Sequence, residues 1–237
     1  MAIYLPELDP VNIEFPTPDS ALAEPNGLLA FGGDLRPERL LCAYRQGIFP
    51  WFSDNEPLLW WSPAPRAIVL PMQFRPSKSL RKFYRKSGYQ VTLNHACHDV
   101  IRLCAETRAN EGTWITCDMI QAYQHLHRLG YCHSVEVWDH KTLIGGLYGI
   151  SVGGVFCGES MFSLADNASK IAFWFFCDHF AHHGGQLIDC QVMNDHLASL
   201  GAVEIERELF TQCLQQQRDA ILKTECYQPQ ELTLSLS

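Results

Sequence analysis

The stretch Leu187-Ile188-Asp189-Cys190-Gln191-Val192-Met193-Asn194-Asp195-His196 sets a carboxylate and an amide two residues apart inside an apolar run. Ile and Val among apolar neighbours predict a buried strand. Side chains alternate faces along a strand, so Asp189 and Gln191 are expected to point the same way. Such groups are costly to bury without partners. The pair therefore either satisfies backbone groups at a strand end or acts on something bound beside it.

Other residues offer chemistry of the same kind. In Cys157-Gly158-Glu159-Ser160-Met161-Phe162-Ser163 an acid follows a predicted strand, in a place that would equally suit a surface-loop Glu. Trp51 sits in a Pro-flanked loop, and Trp114 stands immediately before a predicted helix. Most tryptophans are core residues, but loop aromatics beside a basic helix are what a single-stranded nucleic-acid end requires. Core packing explains most of the aromatic-dense helix around Phe173-Trp174-Phe175-Phe176, and one face of it is free to line an apolar pocket. No GxxxxGK[ST] phosphate loop and no HExxH zinc motif occurs. An RNA-end site, an apolar pocket and a carboxylate–amide pair suit a substrate that arrives activated. An aminoacyl ester is one, because a neutral, well-held amine attacks it directly.

The elements that must position these residues read as follows. The first 65 residues are dense in Pro, Gly and Trp, which permits only short elements. One helix is predicted there, over 37–46. Residues 67–70 form a strand, and a basic helix follows with Leu80, Phe83 and Tyr84 on its apolar face. Then come a strand at 89–93, helices at 95–105 and 117–129, paired strands at 133–138 and 142–150, and a strand at 153–158. An apolar helix at 168–183, the strand already described and a helix at 194–200 complete the series. Antiparallel strands interleaved with helices predict an α+β fold: a small loop-rich domain over 1–65, then a main domain over 66–237 with a mostly antiparallel sheet flanked by helices. Nothing is assigned after about residue 205.

An apolar fraction of 47% with 19% charged residues is that of a packed globular chain. The ten cysteines stand singly with no CxxC pair, and buried reduced thiols are expected. None of the close histidine pairs has a companion Cys or Glu at ligand spacing, so no metal is expected. No run is long enough to span a membrane and no signal segment opens the chain, so a cytoplasmic protein is expected. The net charge of −8 hides an asymmetry. Residues 1–65 hold three basic and nine acidic side chains, whereas 66–86 hold seven basic and none acidic: Arg66, Arg75, Lys78, Arg81, Lys82, Arg85 and Lys86. That pattern predicts one local anion site.

Taken in order, EPNGLLAFGGDL (24–35), GIFPWFS (47–53), LWWSPAPR (59–66), EGTWIT (111–116), CGESMFS (157–163), NASK (167–170), LIDCQVMNDH (187–196) and ASLGA (198–202) resemble the leucyl/phenylalanyl-tRNA–protein transferase family over nearly the whole chain. The resemblance implies transfer of Leu, Phe or, less well, Met from its tRNA to proteins beginning with Arg or Lys, which marks them for N-end-rule degradation. It implies a GNAT-like catalytic domain, similar also to Fem-type peptidyltransferases. No cofactor, no membrane contact and a monomer are expected. By match to the family, Gln191 contacts the attacking α-amino group and Asp189 strengthens it by hydrogen bonding. Glu159 and Asn194 lie near the aminoacyl and peptide ends, and Trp51 and Trp114 lie around the terminal adenosine. Leu147, Met161, Phe176, Phe180 and Ile188 form the side-chain pocket; at the first of these the family usually carries Met. The cations Arg75, Lys78, Arg81, Lys82, Arg85 and Lys86 fit the tRNA backbone.

Three other readings compete. An acyl-CoA acetyltransferase would want a glycine-rich pyrophosphate loop opening a helix. An RNA-binding protein without activity leaves Asp189, Gln191 and Glu159 without a purpose. A membrane-surface protein would depend on one short basic helix with three apolar residues, a weak anchor.

Overall fold

Prolines and glycines break the first part of the chain into short pieces, as expected. The computed structural model describes residues 4–53, 55–108 and 115–235. Strands β1 (Glu7–Leu8), β2 (Leu28–Gly32), β3 (Phe49–Pro50) and β4 (Leu59–Trp61) form a small sheet in the order β1-β2-β4-β3. Helix α1 (Pro37–Tyr44) begins at Pro37, whose fixed φ suits a first helical position.

The larger sheet has eight strands. In chain order the elements are β5 (Arg66–Val69), α2 (Lys78–Ser87), β6 (Gln90–Leu93), α3 (Cys97–Glu106), α4 (Cys117–Arg128), β7 (Cys132–Asp139), β8 (Thr142–Val152) and β9 (Val155–Ser163). They continue with α5 (Ala168–His182), β10 (Leu187–Gln191), α6 (Asp195–Ser199), β11 (Val203–Ile205), α7 (Arg207–Gln217) and β12 (Gln230–Glu231). The strand order is β11-β5-β10-β9-β8-β7-β6-β12. Every pair is antiparallel except β9 and β10, which α5 connects as a crossover. The fold is therefore α+β.

Caps mark where the helices stop. The Ser77 hydroxyl accepts the Leu80 N–H, and Gly88, at φ 70°, closes α2. Buried Glu136 accepts the His95 and Ala96 N–H groups just ahead of α3, both at 3.3 Å.

Two apolar layers flank the large sheet. Phe175, Phe176 and Ile171 of α5 pack with Val135, Val137 and Leu80 on one face. On the other, Leu40, Tyr44 and Trp60 of the first 65 residues share one core with Val100, Ile101, Tyr123 and Ile150. The small sheet and the large sheet are thus packed together.

Three expectations need correction. β9 runs on to Ser163 instead of ending near 158, so Glu159 lies within a strand. The segment after 205, left without assignment, supplies α7, whose Phe210 and Leu214 are buried in the core. Of the ten cysteines seven are buried, but Cys117 is exposed and Cys42 and Cys213 are partly so. Among the described residues no helix is long and apolar enough to cross a membrane.

Candidate active site

The parallel strands β9 and β10 pair at Leu187–Val155, Ile188–Phe156 and Asp189–Cys157, and there the pairing ends. Beyond it the strands diverge and a cleft of about 790 Å³ opens between them. Each strand carries a bulge at this point. On β9, Glu159 is the extra residue between the Tyr148–Ser160 and Gly149–Gly158 pairs. On β10, Cys190 is the extra residue between Asp189–Ile68 and Gln191–Ala67. A bulge re-aims side chains and ends the alternation. Gly149 permits the first of these, since a Cβ there would lie 2.3 Å from the Cys157 carbonyl oxygen.

The expectation that Asp189 and Gln191 share a face is therefore wrong. Gln191, at φ 57°, lines the cleft. Asp189 is buried behind it, where Arg66 grips both carboxylate oxygens: Nε donates to Oδ1 at 2.8 Å and Nη2 to Oδ2 at 2.7 Å. Both side chains are 1% exposed. The guanidinium also lies over two rings, 5.0 Å from Phe49 and 4.5 Å from Phe210. Arg66 thus leaves the basic strip and becomes a buried counter-ion. The hydrogen bond that joins Asp189 to Gln191 does not run between their side chains. Asp189 Oδ1 instead accepts the backbone N–H of Gln191 at 3.0 Å, which fixes the bulge. The Gln191 amide nitrogen reaches back to the Asp189 carbonyl at 3.4 Å, turning its oxygen outward.

Glu159 lines the same cleft as Gln191. Behind it stand two buried tyrosines. The Tyr44 hydroxyl lies 2.7 Å from Oε1 and that of Tyr123 2.7 Å from Oε2. Burial pushes the Glu159 carboxyl up to about 7, a rise that the two hydroxyls oppose.

The apolar end of the cleft is walled by Leu147, Met161, Phe176 and Ile188. Phe180, expected beside them, is fully buried behind Phe176, with ring centroids 5.2 Å apart and nearly parallel. It supports the wall without forming it, because one helical turn along α5 carries it deeper into the core. Phe156, Phe173 and Cys190 line the cleft in its place. Asn194 borders the cleft while its Oδ1 accepts the Leu197 N–H to cap α6. His196 Nε2 lies 3.1 Å from the Met161 sulfur. Trp51, 45% exposed, stands at the rim, held by the Trp61 indole N–H donating to its carbonyl at 2.7 Å. Trp114 lies outside the described residues.

The five cations of α2, Lys78, Arg81, Lys82, Arg85 and Lys86, are all exposed and form no ion pair among the described residues. Arg75, also exposed, donates to the Met72 and Phe74 carbonyls. The helix packs through Tyr84 on Trp174 and Phe175 of α5, the helix that supplies Phe173 and Phe176 to the cleft. Arg108 adds a cation at the cleft itself. One further motif is resolved by position. Gly149-Ile150-Ser151-Val152-Gly153 has GxSxG spacing, but it runs out of β8 into a hairpin, and the Ser151 hydroxyl donates to the Tyr131 carbonyl at 3.3 Å. A nucleophile elbow needs a strand-to-helix turn.

Sequence reasoning missed Arg66 as the partner of Asp189 and missed Tyr44 and Tyr123. A cation between Pro65 and the apolar strand Ala67-Ile68-Val69 was the available sign, since a buried charge needs a counter-charge. The two tyrosines carried no local signal. Chemically, the cleft joins an apolar slot to an amide oxygen and a carboxyl group, an arrangement able to hold an amine against an ester.

The family described as leucyl/phenylalanyl-tRNA protein transferase matches residues 68–215, and its N-terminal domain matches residues 33–64. A leucyl/phenylalanyl-tRNA–protein transferase of Photobacterium profundum is 71% identical over 236 residues, covering 100% of both chains. Proteins of that name from Vibrio campbellii and Aliivibrio salmonicida are 60% and 58% identical, covering 100% and 98% of this chain and 100% and 99% of theirs. Among solved structures, a conserved protein of unknown function from Bacteroides thetaiotaomicron overlaps with a TM-score of 0.42 at 11% identity, over 67% of this chain and 57% of that one, too little to assign a shared fold. On sequence, over its full length, this chain belongs to the leucyl/phenylalanyl-tRNA protein transferase family.

Proposed function

We propose that the chain performs the reaction of its family, moving leucine, phenylalanine and, less well, methionine from aminoacyl-tRNA to the N-terminal Arg or Lys of acceptor proteins, and so marks them for N-end-rule degradation. One observation supports this: Gln191, Glu159 and Trp51 line one cleft together with the apolar side chains Leu147, Met161, Phe176 and Ile188. The slot takes the aminoacyl side chain, and Trp51, with Trp114, stacks on the terminal adenosine. Asn194 serves the peptide end. An apolar pocket separates side chains differing by a methylene by only about 1–3 kcal/mol, so overlap among Leu, Phe and Met follows.

An α-amino group has a pKa of about 7.7–8.0, so a useful fraction is neutral near pH 7. The Gln191 oxygen accepts a hydrogen bond from that amine and aims its lone pair at the ester carbonyl. Asp189, neutralised by Arg66, acts by holding the Gln191 backbone in place. Positioning of this kind is worth up to roughly 7–11 kcal/mol. The catalytic domain, 66–237, is proposed to be GNAT-like and the segment 1–65 a separate small domain, a division supported by two sheets that share no strand. Cytoplasmic residence, a monomeric state and independence of cofactors belong to the same proposal.

The test is a transfer assay with radiolabelled leucyl-tRNA and two peptides, one beginning with Arg and one with an acidic residue. Label should appear on the Arg peptide alone. No transfer to either peptide, despite tight tRNA binding, would leave an RNA-binding protein.

The basic helix gives a second expected result. Replacing Arg81, Lys82, Arg85 and Lys86 by Ala weakens binding of all tRNAs alike. It also lowers the log–log salt slope by at most roughly 4, because each lost phosphate contact contributes about 0.9. An unchanged slope in filter-binding titrations would place the tRNA elsewhere.

A further inference from the structure

Glu159, Tyr44 and Tyr123 make three short oxygen–oxygen contacts. The tyrosine oxygens lie 2.7 Å from Oε1 and 2.7 Å from Oε2, and 2.5 Å from each other. Each such contact needs a proton between its two oxygens, since a hydroxyl has one hydrogen to donate. The two hydroxyls supply two protons for three contacts. An ionised Glu159 supplies none, which leaves one buried pair of oxygens pressed together without a hydrogen. Loss of a hydroxyl proton makes the count worse, and burial holds both hydroxyls well above their usual range. A protonated Glu159 closes the count. Its O–H donates to one tyrosine, that tyrosine donates to the second, and the second donates to the other carboxyl oxygen.

Building on the transferase reading above, we propose that Glu159 works as a neutral carboxylic acid whose proton is tied into a closed ring of three hydrogen bonds with Tyr44 and Tyr123. Tyr44 and Tyr123 are positioning residues in this scheme, 1% and 0% exposed, and come from α1 and α4. The ring turns the acid proton away from the cleft, so Glu159 presents only lone pairs to whatever enters.

This explains why a carboxyl group can stand beside an attacking amine without harming it. A carboxylate there would favour the ammonium form, which has no lone pair for attack. A neutral acid accepts a hydrogen bond from the free amine and adds no charge. In the transfer step the amine lone pair forms the C–N bond, the ester C–O bond to the tRNA ribose breaks, and the amine proton ends on the ribose oxygen. Glu159 keeps its own proton throughout.

The groups around Glu159 divide in their effect on its proton. Tyr44 faces it from α1, Tyr123 from α4 and Tyr148 from β8, all buried hydroxyls. Cys132 of β7 and Cys157 of its own strand are buried thiols raised by burial. Asp189 and Arg66 act in opposite senses on it and are paired with each other, and Arg108 and Asp195 also line its cleft. Burial is the largest influence and raises its carboxyl, which stands at about 7 against the opposing pull of the two hydroxyls and Arg66.

The test compares Glu159→Gln with Glu159→Ala. A glutamine closes the same ring, its amide N–H replacing the acid O–H. Glu159→Gln should therefore keep transfer within about tenfold of the natural protein, whereas Glu159→Ala loses about a hundredfold, the cost of a misplaced amine. The activity of the natural protein relative to Glu159→Gln should also fall as pH rises through about 7 and Glu159 ionises, a ratio that cancels the gain both proteins take from a more neutral amine. Infrared difference spectra between the natural protein and Glu159→Gln should show a protonated-carboxyl band at pH 6 that disappears at pH 9. Equal loss in Glu159→Gln and Glu159→Ala, or no acid band at pH 6, would overturn the ring. Should the natural protein transfer nothing, the transferase reading fails by itself, and the infrared band alone upholds or overturns the ring.

Discussion

Replacing Asp189 by Ala is expected to lower the unfolding free energy by about 3–5 kcal/mol, because it strands the Arg66 guanidinium in the core without its counter-charge. Arg66 is 1% exposed and one of its terminal nitrogens already lacks a hydrogen-bond partner. The nearby Phe49 and Phe210 rings cannot replace two short ionic hydrogen bonds. Stability and chemistry are separated by a double variant. Arg66→Met with Asp189→Leu swaps the pair for apolar side chains of similar reach, and such exchanges are commonly neutral or stabilising by about 1–4 kcal/mol. The double variant should recover its urea midpoint yet stay deficient in transfer, because the Gln191 N–H has lost the carboxylate oxygen that fixes the bulge. Aminoacyl-tRNA affinity should change little in both. A double variant with normal single-turnover transfer would reduce the pair to a folding device, and a large loss of tRNA affinity would refute the positioning role.

The same pair shows how far sequence reasoning reaches. Helices α1 to α6 and strands β5 to β10 were legible, because apolar spacing and Gly or Pro punctuation are local properties. The apolar run around Asp189 gave its strand correctly, and Gln191 was singled out because an amide within such a run needs a reason. What failed was geometry that depends on partners. Alternation predicts one face for residues two apart, and a single extra residue, Cys190, breaks it. Glu159 is expected just past a strand, in a place that equally suits a loop, because its bulge on β9 depends on β8, a strand that pairs across the hairpin. Arg66 lies 123 residues from Asp189 and Tyr44 lies 115 from Glu159, so no window along the chain holds both members of either contact. The fate of α7 was hidden likewise: Phe210 is ordinary in sequence, and only the fold sets it over the Arg66 guanidinium.

Gln191 should separate backbone conformation from catalysis most sharply. It is held at φ 57°, a left-handed conformation that costs an ordinary residue roughly 1–2 kcal/mol and glycine almost nothing. Gln191→Gly should therefore be at least as stable as the natural protein, with the bulge kept by the same backbone N–H to Asp189. Its transfer rate should nevertheless fall by two orders of magnitude or more, since a misplacement of about 1 Å already costs roughly a hundredfold and here the amine loses its acceptor altogether. Gln191→Asn sharpens the distinction. Asn tolerates the left-handed region, but its amide is one methylene, about 1.5 Å, short of the position held by Gln191. It should fold normally and fall between the other two in rate, with unchanged affinity for leucyl-tRNA. Thermal unfolding and single-turnover transfer on the three proteins decide the matter. If Gln191→Gly transfers as well as the natural protein, the amide has no part in the reaction, and the bulge serves only to hold the cleft open. If its rate falls while its stability holds, the strained residue is kept for what its side chain does to the amine.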